Sequence, residues 1–208
     1  MDGVFMFKLV KRMLFLALVA ALVYMGSVIA DKNKLSEEIL RLHVVANSDS
    51  EADQAVKLKV RDAVLSAVEE SLVAVEFKAD AQDSIENRLP ELEQIANDVL
   101  DGEGISDRAK VTLTKEEFPK RVYDTFTLPA GVYDSLRITI GEGEGQNWWC
   151  VVFPSLCIPA ASEQVEDVAA GAGFSDSLSG AITGEETYQV RFFLLDCLGR
   201  IENFFHRS

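Results

Sequence analysis

The chain has 208 residues, 48% of them hydrophobic and 26% charged, and these proportions exclude a disordered tail and a fibrous repeat. The net charge of -14 at pH 7 excludes attraction to a phosphate backbone as the main source of binding energy, so we predict no nucleic-acid partner. Residues 1–30 hold three basic and one acidic side chain, which leaves 17 basic and 33 acidic ones in residues 31–208.

The first thirty residues have the pattern of an export signal. A basic cluster between Lys8 and Arg12 precedes an uncharged apolar run that continues to Ala30. Small side chains near the end of this run are what signal peptidase accepts, and Gly26 with Ser27 favours an extended cleavage region over a continued helix.

A retained membrane anchor is the alternative interpretation of this segment. Residues 13–30 would span about 27 Å as a helix, which is near the lower limit for crossing a bilayer. We therefore predict a signal peptide or membrane anchor over residues 1–30 and an exported domain over residues 31–208. Contact with a membrane is expected only through the N-terminal segment.

A strand and two helices are predicted at the start of the exported domain. Leu40–Ala46 alternates as a strand does, and a polar cluster follows it. Ser50 with Asp53 resembles a capping box, which predicts a helix to about residue 77. A second helix is expected from about residue 80 to Gly102, either divided or kinked at Pro90.

After residue 104 the spacing at which apolar residues recur changes from 3.6 residues, typical of a helix, to 2 residues, typical of a strand. This change predicts strands near residues 110–115, 121–127, 135–140, 148–153 and 188–195. Residues 162–186 are rich in small and polar types and are expected to form a mobile loop, with one short helix near residues 163–170. The order indicates a single α+β domain, with two to three helices on one face of a mixed, mostly antiparallel sheet.

Several motifs could carry chemistry, and each has a structural alternative. Gly141–Gly145 contains two glutamates and precedes a strand, so a tight hairpin is favoured over a phosphate loop. His43 could serve a hydrolase together with Ser48 and Asp49, or it could be a structural or recognition residue. Trp148 and Trp149 could stack on sugars or belong to the core.

No catalytic set, metal site or cofactor is predicted. The chain has two histidines, and their spacing from the cysteines does not suit zinc. Cys150 and Cys157 could form a disulfide around Pro154, or they could be two buried thiols. Cys197 leaves an odd number of cysteines, and its role stays open.

Two long segments resemble one family in the same order along the chain. Residues 40–64, beginning Leu-Arg-Leu-His-Val-Val-Ala-Asn-Ser-Asp-Ser, are similar to the opening signature of stage II sporulation protein R. Residues 128–157, including Gly-Glu-Gly-Glu-Gly-Gln-Asn-Trp-Trp-Cys, resemble its second signature, and Phe118-Pro119 lies between the two blocks where that family has a similar element. The resemblance covers about residues 38–160.

This resemblance implies a signalling protein of endospore formation and not an enzyme. Members are made in the forespore of a Gram-positive-type bacterium and secreted into the space between the septal membranes. There they activate a membrane-embedded aspartic protease that processes the precursor of sigma factor E. A secreted cell-wall hydrolase or an envelope-binding module is the alternative.

The polar turn residues of the two matched segments are the predicted recognition surface. We expect contacts to the protease from His43, Asn47, Ser48, Asp49, Glu142 and Asn147. These side chains could equally serve as caps at the strand ends.

Overall fold

The computed structural model describes residues 3–73, 75–123, 126–154 and 174–206. The helices are α1 (Gly3–Glu38), α2 (Glu51–Leu72), α3 (Lys78–Gly102), α4 (Asp176–Thr183) and α5 (Gln189–His206), with a 3-10 turn at Glu186–Tyr188. The strands are β1 (Leu40–Val45), β2 (Ala109–Phe118), β3 (Arg121–Val122), β4 (Thr127–Leu128), β5 (Gly131–Ile140) and β6 (Asn147–Phe153).

A four-stranded sheet in the order β2-β5-β1-β6 forms the centre of the fold. β1 pairs with β5 in parallel and with β6 antiparallel, and β2 pairs antiparallel with β5. All six residues of β1 are buried, because layers cover both faces of this central strand. The predicted α+β class with a mixed, mostly antiparallel sheet is confirmed.

Helices α2 and α3 cover one face of the sheet. Val60 and Val64 belong to the same buried cluster as Leu42 and Val44 of β1. The predicted capping residue is confirmed, because the Ser50 hydroxyl accepts a hydrogen bond of 3.1 Å from the backbone N–H of Asp53. α3 runs through Pro90 as one helix.

The opposite face of the sheet is also covered by helices, so the prediction of helices on one face was wrong. The end of α1 packs there with α4 and α5, and Leu35, Leu178 and Leu195 share a second core with Phe118 and Tyr133. Residues 188–195, predicted as a strand, lie in the 3-10 turn and α5. A short apolar run fits both the helical period of 3.6 residues and the strand period of 2, and only its packing in the fold decides which structure forms.

Helix α1 does not end near residue 30 as the export pattern suggested. It runs through Gly26 and Ser27 to Glu38, and the Ser27 hydroxyl donates to the carbonyl of Tyr24 at 2.7 Å. Val28 is fully buried in the second core, whereas the residues before it are largely exposed. Among the described helices, α1 is long and apolar enough from Phe5 onward to cross a membrane.

Two further predictions differ in detail. The strand predicted at residues 121–127 differs: its described residues include β3 and β4, which form a separate two-stranded sheet. α4 lies inside the segment predicted as a mobile loop, and the short helix expected near residues 163–170 lies outside the described residues.

Candidate functional site

Two turns meet where β1 ends, and together they contain most of the predicted recognition residues. The N–H of Gly145 donates to the carbonyl of Ala46 at 2.9 Å, and the N–H of Glu144 donates to the carbonyl of Asn47 at 3.1 Å. We call residues 46–50 and 141–147 the turn pair. Segments almost one hundred residues apart in the sequence are thus joined at one end of the sheet.

Side chains of the first turn hold the backbone of the second. The side-chain amide oxygen of Asn47 accepts from the N–H of Glu142 at 3.0 Å, and an Asp49 carboxylate oxygen accepts from the N–H of Gln146 at 2.7 Å. The Ser48 hydroxyl donates to the Asp53 carboxylate at 2.5 Å, and this bond is the main cause that lowers the pKa of Asp53. Asn47 and Asp49 therefore hold the two turns together, while Ser48 fixes the first turn to the start of α2.

Glycines are required in the second turn. Gly141 and Gly143 have φ values of +55° and +66°, which side chains rarely tolerate, and this agrees with the tight-hairpin interpretation. A Cβ atom on Gly145 would lie 2.3 Å from the backbone oxygen of Ser48. The close approach of the two turns thus depends on the missing side chain at residue 145.

Beneath the turn pair, His43 lies in a buried polar cluster. Its Nδ1 is 2.8 Å from a carboxylate oxygen of Glu116, and its Nε2 is 2.6 Å from the amide oxygen of Asn147. The imidazole stacks on Trp149 with ring centroids 3.8 Å apart. His43 is 4% exposed, so it cannot itself form a broad contact surface for a partner.

Glu116 connects this cluster to the guanidinium of Arg137. The same oxygen that faces His43 accepts a hydrogen bond from Arg137 at 2.9 Å. Burial alone would raise the pKa of Glu116, but the hydrogen bond with His43, assisted by Ser135 and the positive charge of Arg137, outweighs it, so the pKa lies below its usual value. The carboxylate is therefore held in its charged form.

Arg41 occupies the next inward position on the same side of β1 and is completely buried. It donates to the Cys150 carbonyl at 3.1 Å and to the Tyr123 hydroxyl at 2.8 Å, and its guanidinium lies 4.2 Å from the Phe118 ring centre. Burial is the main cause that lowers its pKa. Arg41 and His43 together support the strand that positions the turn pair.

The exposed surface of the turn pair and its edges is mainly acidic. Its outward-facing residues are Asp49, Glu51, Glu142, Glu144, Gln146, Asn147 and Trp148. Arg61 covers one face of the Trp148 ring at 4.2 Å, and Lys57 lies buried below, donating to the carbonyl of Gln146 at 2.9 Å. This acidic tip can offer carboxylates and one half-covered aromatic ring to a partner.

Sequence reasoning found the residues of the turn pair but missed their buried supports. The structure brings together all six predicted recognition residues, but they divide into the buried His43, the half-buried capping residues Asn47 and Ser48, and the exposed Asp49, Glu142 and Asn147. Glu116, Arg41 and Trp149 were not predicted as members of the site. No local pattern could have found Glu116, because it lies 73 residues from its partner His43.

The arrangement around His43 does not match what the hydrolase alternative requires. A general base needs a nucleophile within hydrogen-bond reach, yet both ring nitrogens face the oxygens of Glu116 and Asn147. For the wall-binding alternative, Trp148 is 37% exposed but partly covered, while Trp149 stacks on His43. Within the described ranges, no group of three His, Cys, Asp or Glu residues could hold a metal ion.

Two of the three cysteines can be placed. Cys150 takes part in a disulfide bond, and Cys197 is free. Cys157, its predicted partner, lies outside the described residues.

Fold and site together define the class of protein: an α+β domain behind an apolar helix that could serve as signal or anchor, with an acidic, tightly capped turn pair at one end. The model of the stage II sporulation protein R family matches residues 36–163, so the chain belongs to that family and is a sporulation protein.

A curated relative supports the same assignment. The chain is 37% identical over 123 residues to stage II sporulation protein R of Bacillus subtilis (strain 168). The match covers 59% of this chain and 55% of the relative, so it spans about half the length of that protein. No solved structure matches the chain.

Proposed function

We propose that the chain is a secreted signal of endospore formation that activates a membrane-embedded aspartic protease, which then processes the precursor of sigma factor E. On this proposal the chain is made in the forespore and carried across the forespore membrane into the septal space. Family membership supports a role in sporulation signalling, and the N-terminal apolar helix supports export. The protein then acts by binding and not by catalysis.

The placement of the apolar helix and the acidic tip at opposite ends of the domain is the observation that carries this proposal. The apolar helix α1 is followed directly by β1, which begins at Leu40, and the acidic tip lies at the other end of this strand. A strand of six residues is about 20 Å long. A domain held at one membrane through α1 would thus direct its acidic tip away from that membrane. A receptor in the opposing septal membrane is what this geometry suits.

Activation requires a preference for one state of the protease. A ligand shifts a receptor only by binding its active state more tightly than its inactive state, and about 3 kcal/mol of preference corresponds to about 150-fold. The carboxylates of Glu142 and Glu144 are exposed and available for such contacts. Because Asn47 and Asp49 hold the turns together, they act by keeping these carboxylates in place.

Complementation tests the function. The chain is expressed in the forespore of a sporulating strain that lacks its own stage II protein R, and processing of the sigma factor E precursor is followed by immunoblot. We expect processing to be restored. Failure with an exported protein, repeated after the protease of the chain's own organism is supplied, would overturn the proposal.

A pair of charge-matched variants tests the acidic tip. Glu142→Lys with Glu144→Lys should abolish processing, whereas Asp83→Lys with Glu86→Lys makes the same charge change at exposed positions of α3 and should leave it intact. Both variants must accumulate to the level of the unchanged chain. Normal processing by the tip variant would exclude the acidic tip as the recognition surface without excluding the signalling function.

A further inference from the structure

We propose that α5 lies in the interfacial region of a lipid bilayer and forms a second membrane contact beside α1. α5 is apolar on two opposite faces. Its inner face packs into the domain, where Leu195 is fully buried and Gly199 lies directly against the carbonyl of Ala130. Its outer face exposes a row of apolar side chains, which we call the outer stripe: Val190, Phe193, Ile201, Phe204 and Phe205, each between 54% and 70% exposed.

The spacing shows that the outer stripe is one continuous surface. Val190, Phe193, Cys197, Ile201 and Phe204 follow one another at intervals of three or four residues, which places them along one side of a helix. A soluble domain gains nothing from exposing such a row, and large exposed apolar patches mark interaction sites.

α5 crosses α1 where the exposed apolar part of α1 ends. Arg191 pairs with Asp31 at 2.5 Å and approaches the Ser27 carbonyl at 3.4 Å, while Glu202 pairs with Lys32 at 2.6 Å. The two ion pairs are about 16 Å apart along α5, whereas their partners on α1 are adjacent residues. α5 therefore lies beside the part of α1 where its exposed apolar segment ends, which is where the surface of a bilayer spanned by α1 would be.

α5 packs beside the end of the sheet that adjoins α1. The inner face of α5 rests on the ends of β5 and β2, where Glu202 accepts from the N–H of Val132 and Asn203 donates to the carbonyl of Phe118. This is the end of the sheet at which β1 begins, directly after α1. The stripe lies on the opposite side of α5 and points away from the sheet.

The acidic side chains on α5 and at its contacts with α1 are paired with basic ones, although the exported domain is acidic and Glu185 and Glu186 are exposed just before α5. Asp31, Asp196 and Glu202 are each paired with a basic side chain, namely Arg191, Arg200 and Lys32. Paired acids contribute little repulsion toward anionic headgroups. An amphipathic helix with one apolar face and compensated charges suits the interface of a bilayer.

Depth-sensitive labelling of the full chain tests this proposal. The chain is reconstituted at one copy per lipid nanodisc in a Cys197→Ser background, without reductant, and an environment-sensitive fluorophore is attached at Phe193→Cys or Ile201→Cys. Leu58→Cys, at an exposed leucine on α2 near the other end of the domain, is the matched control, and Leu16→Cys in α1 reports full insertion.

We expect the labels at positions 193 and 201 to emit at shorter wavelength than the label at position 58. Lipids carrying a nitroxide on the acyl chain should quench most of their emission, as at position 16, and spare position 58. Water-like emission at both stripe positions would overturn the proposal. A short-wavelength emission that nitroxide lipids do not quench would also overturn it, because protein and not lipid would then cover the stripe.

A variant supplies an independent readout. In the full chain with Phe193→Gln and Phe205→Gln, amide hydrogen exchange of α5 in nanodiscs should accelerate relative to the unchanged chain, while exchange of α2 stays the same. Equal exchange of α5 in both proteins would contradict membrane contact. Neither measurement involves the protease, so their failure would leave the proposed signalling function standing.

Discussion

The Nε2 atom of His43 and the amide oxygen of Asn147 lie 2.6 Å apart, and this contact joins the buried centre of the domain to its exposed acidic tip. His43 belongs to the middle of β1, whereas Asn147 begins β6 directly after the second turn. A buried imidazole held between a carboxylate and an amide can fix the orientation of the turn more rigidly than backbone pairing alone.

Removal of the imidazole should therefore loosen the tip. His43→Ala leaves the carboxylate of Glu116 and the amide of Asn147 without this partner and opens space under Trp149, so we expect a loss of about 2–4 kcal/mol in the free energy of unfolding. Urea unfolding of the chain in detergent, followed by tryptophan fluorescence, measures the loss. His206→Ala near the C-terminus is the control, and an equal effect of both variants would contradict the role of His43.

The lowered pKa of Glu116 predicts a pH dependence of stability. A carboxylate whose pKa is lower in the folded state binds protons less readily than in the unfolded chain, so it stabilises the fold above the unfolded pKa of about 4.3. This contribution should disappear as the pH falls through the folded-state pKa.

Glu116→Gln should accordingly flatten the stability profile in the acid range. The expected result is a smaller loss of stability between pH 5 and about pH 3 than in the unchanged chain, as measured by urea unfolding at each pH. Glu86→Gln, at an exposed position of α3, should retain the original profile. Identical profiles for the unchanged chain and Glu116→Gln would contradict the prediction.

Gly145 should tolerate no side chain. A Cβ atom there would meet the backbone oxygen of Ser48 at 2.3 Å, so Gly145→Ala must separate the two turns and should cost about 1–3 kcal/mol of stability together with much of the signalling activity. Gly102→Ala, where nothing lies within 4 Å, is the matched control and should be neutral or slightly stabilising. Thermal unfolding and precursor processing are the two readouts, and equal behaviour of the variants would count against the close approach.

The cysteines should differ in their reaction with maleimide. Cys150 is disulfide-bonded and Cys197 is free, so the denatured chain should take up one maleimide without reductant and three after reduction if Cys157 is the partner. Mass spectrometry counts the adducts, and Cys197→Ser should remove the label seen without reductant. Three adducts before reduction would contradict the pairing.

Local sequence patterns were sufficient to predict the elements for which all local signals indicate the same structure. The strand at Leu40–Ala46, the cap at Ser50 and the helices that follow were predicted correctly because period, capping chemistry and burial all agree there. The tight turn at Gly141–Gly145 was also predictable, since its glycines adopt backbone angles that other residues avoid.

Tertiary packing decided the elements in which two periods compete. Residues 188–195 are apolar enough for a strand, but as part of a helix they can contact the domain on one side and leave a second apolar row exposed. The end of α1 likewise stays helical because Val28 and Leu35 find a core to enter, which no feature within residues 1–30 reveals.

By itself, the amino-acid sequence determined that this protein has an apolar N-terminal segment, an α+β body, polar turns after the first strand and the signatures of a sporulation family. Only the tertiary structure decided which polar residues support the site and which face outward. Hydrogen bonds and ion pairs such as those of His43 with Glu116, or of Arg191 with Asp31, join residues far apart in the chain. These contacts form only when the fold brings distant helices and strands together. A local sequence pattern does not show which distant elements will come into contact.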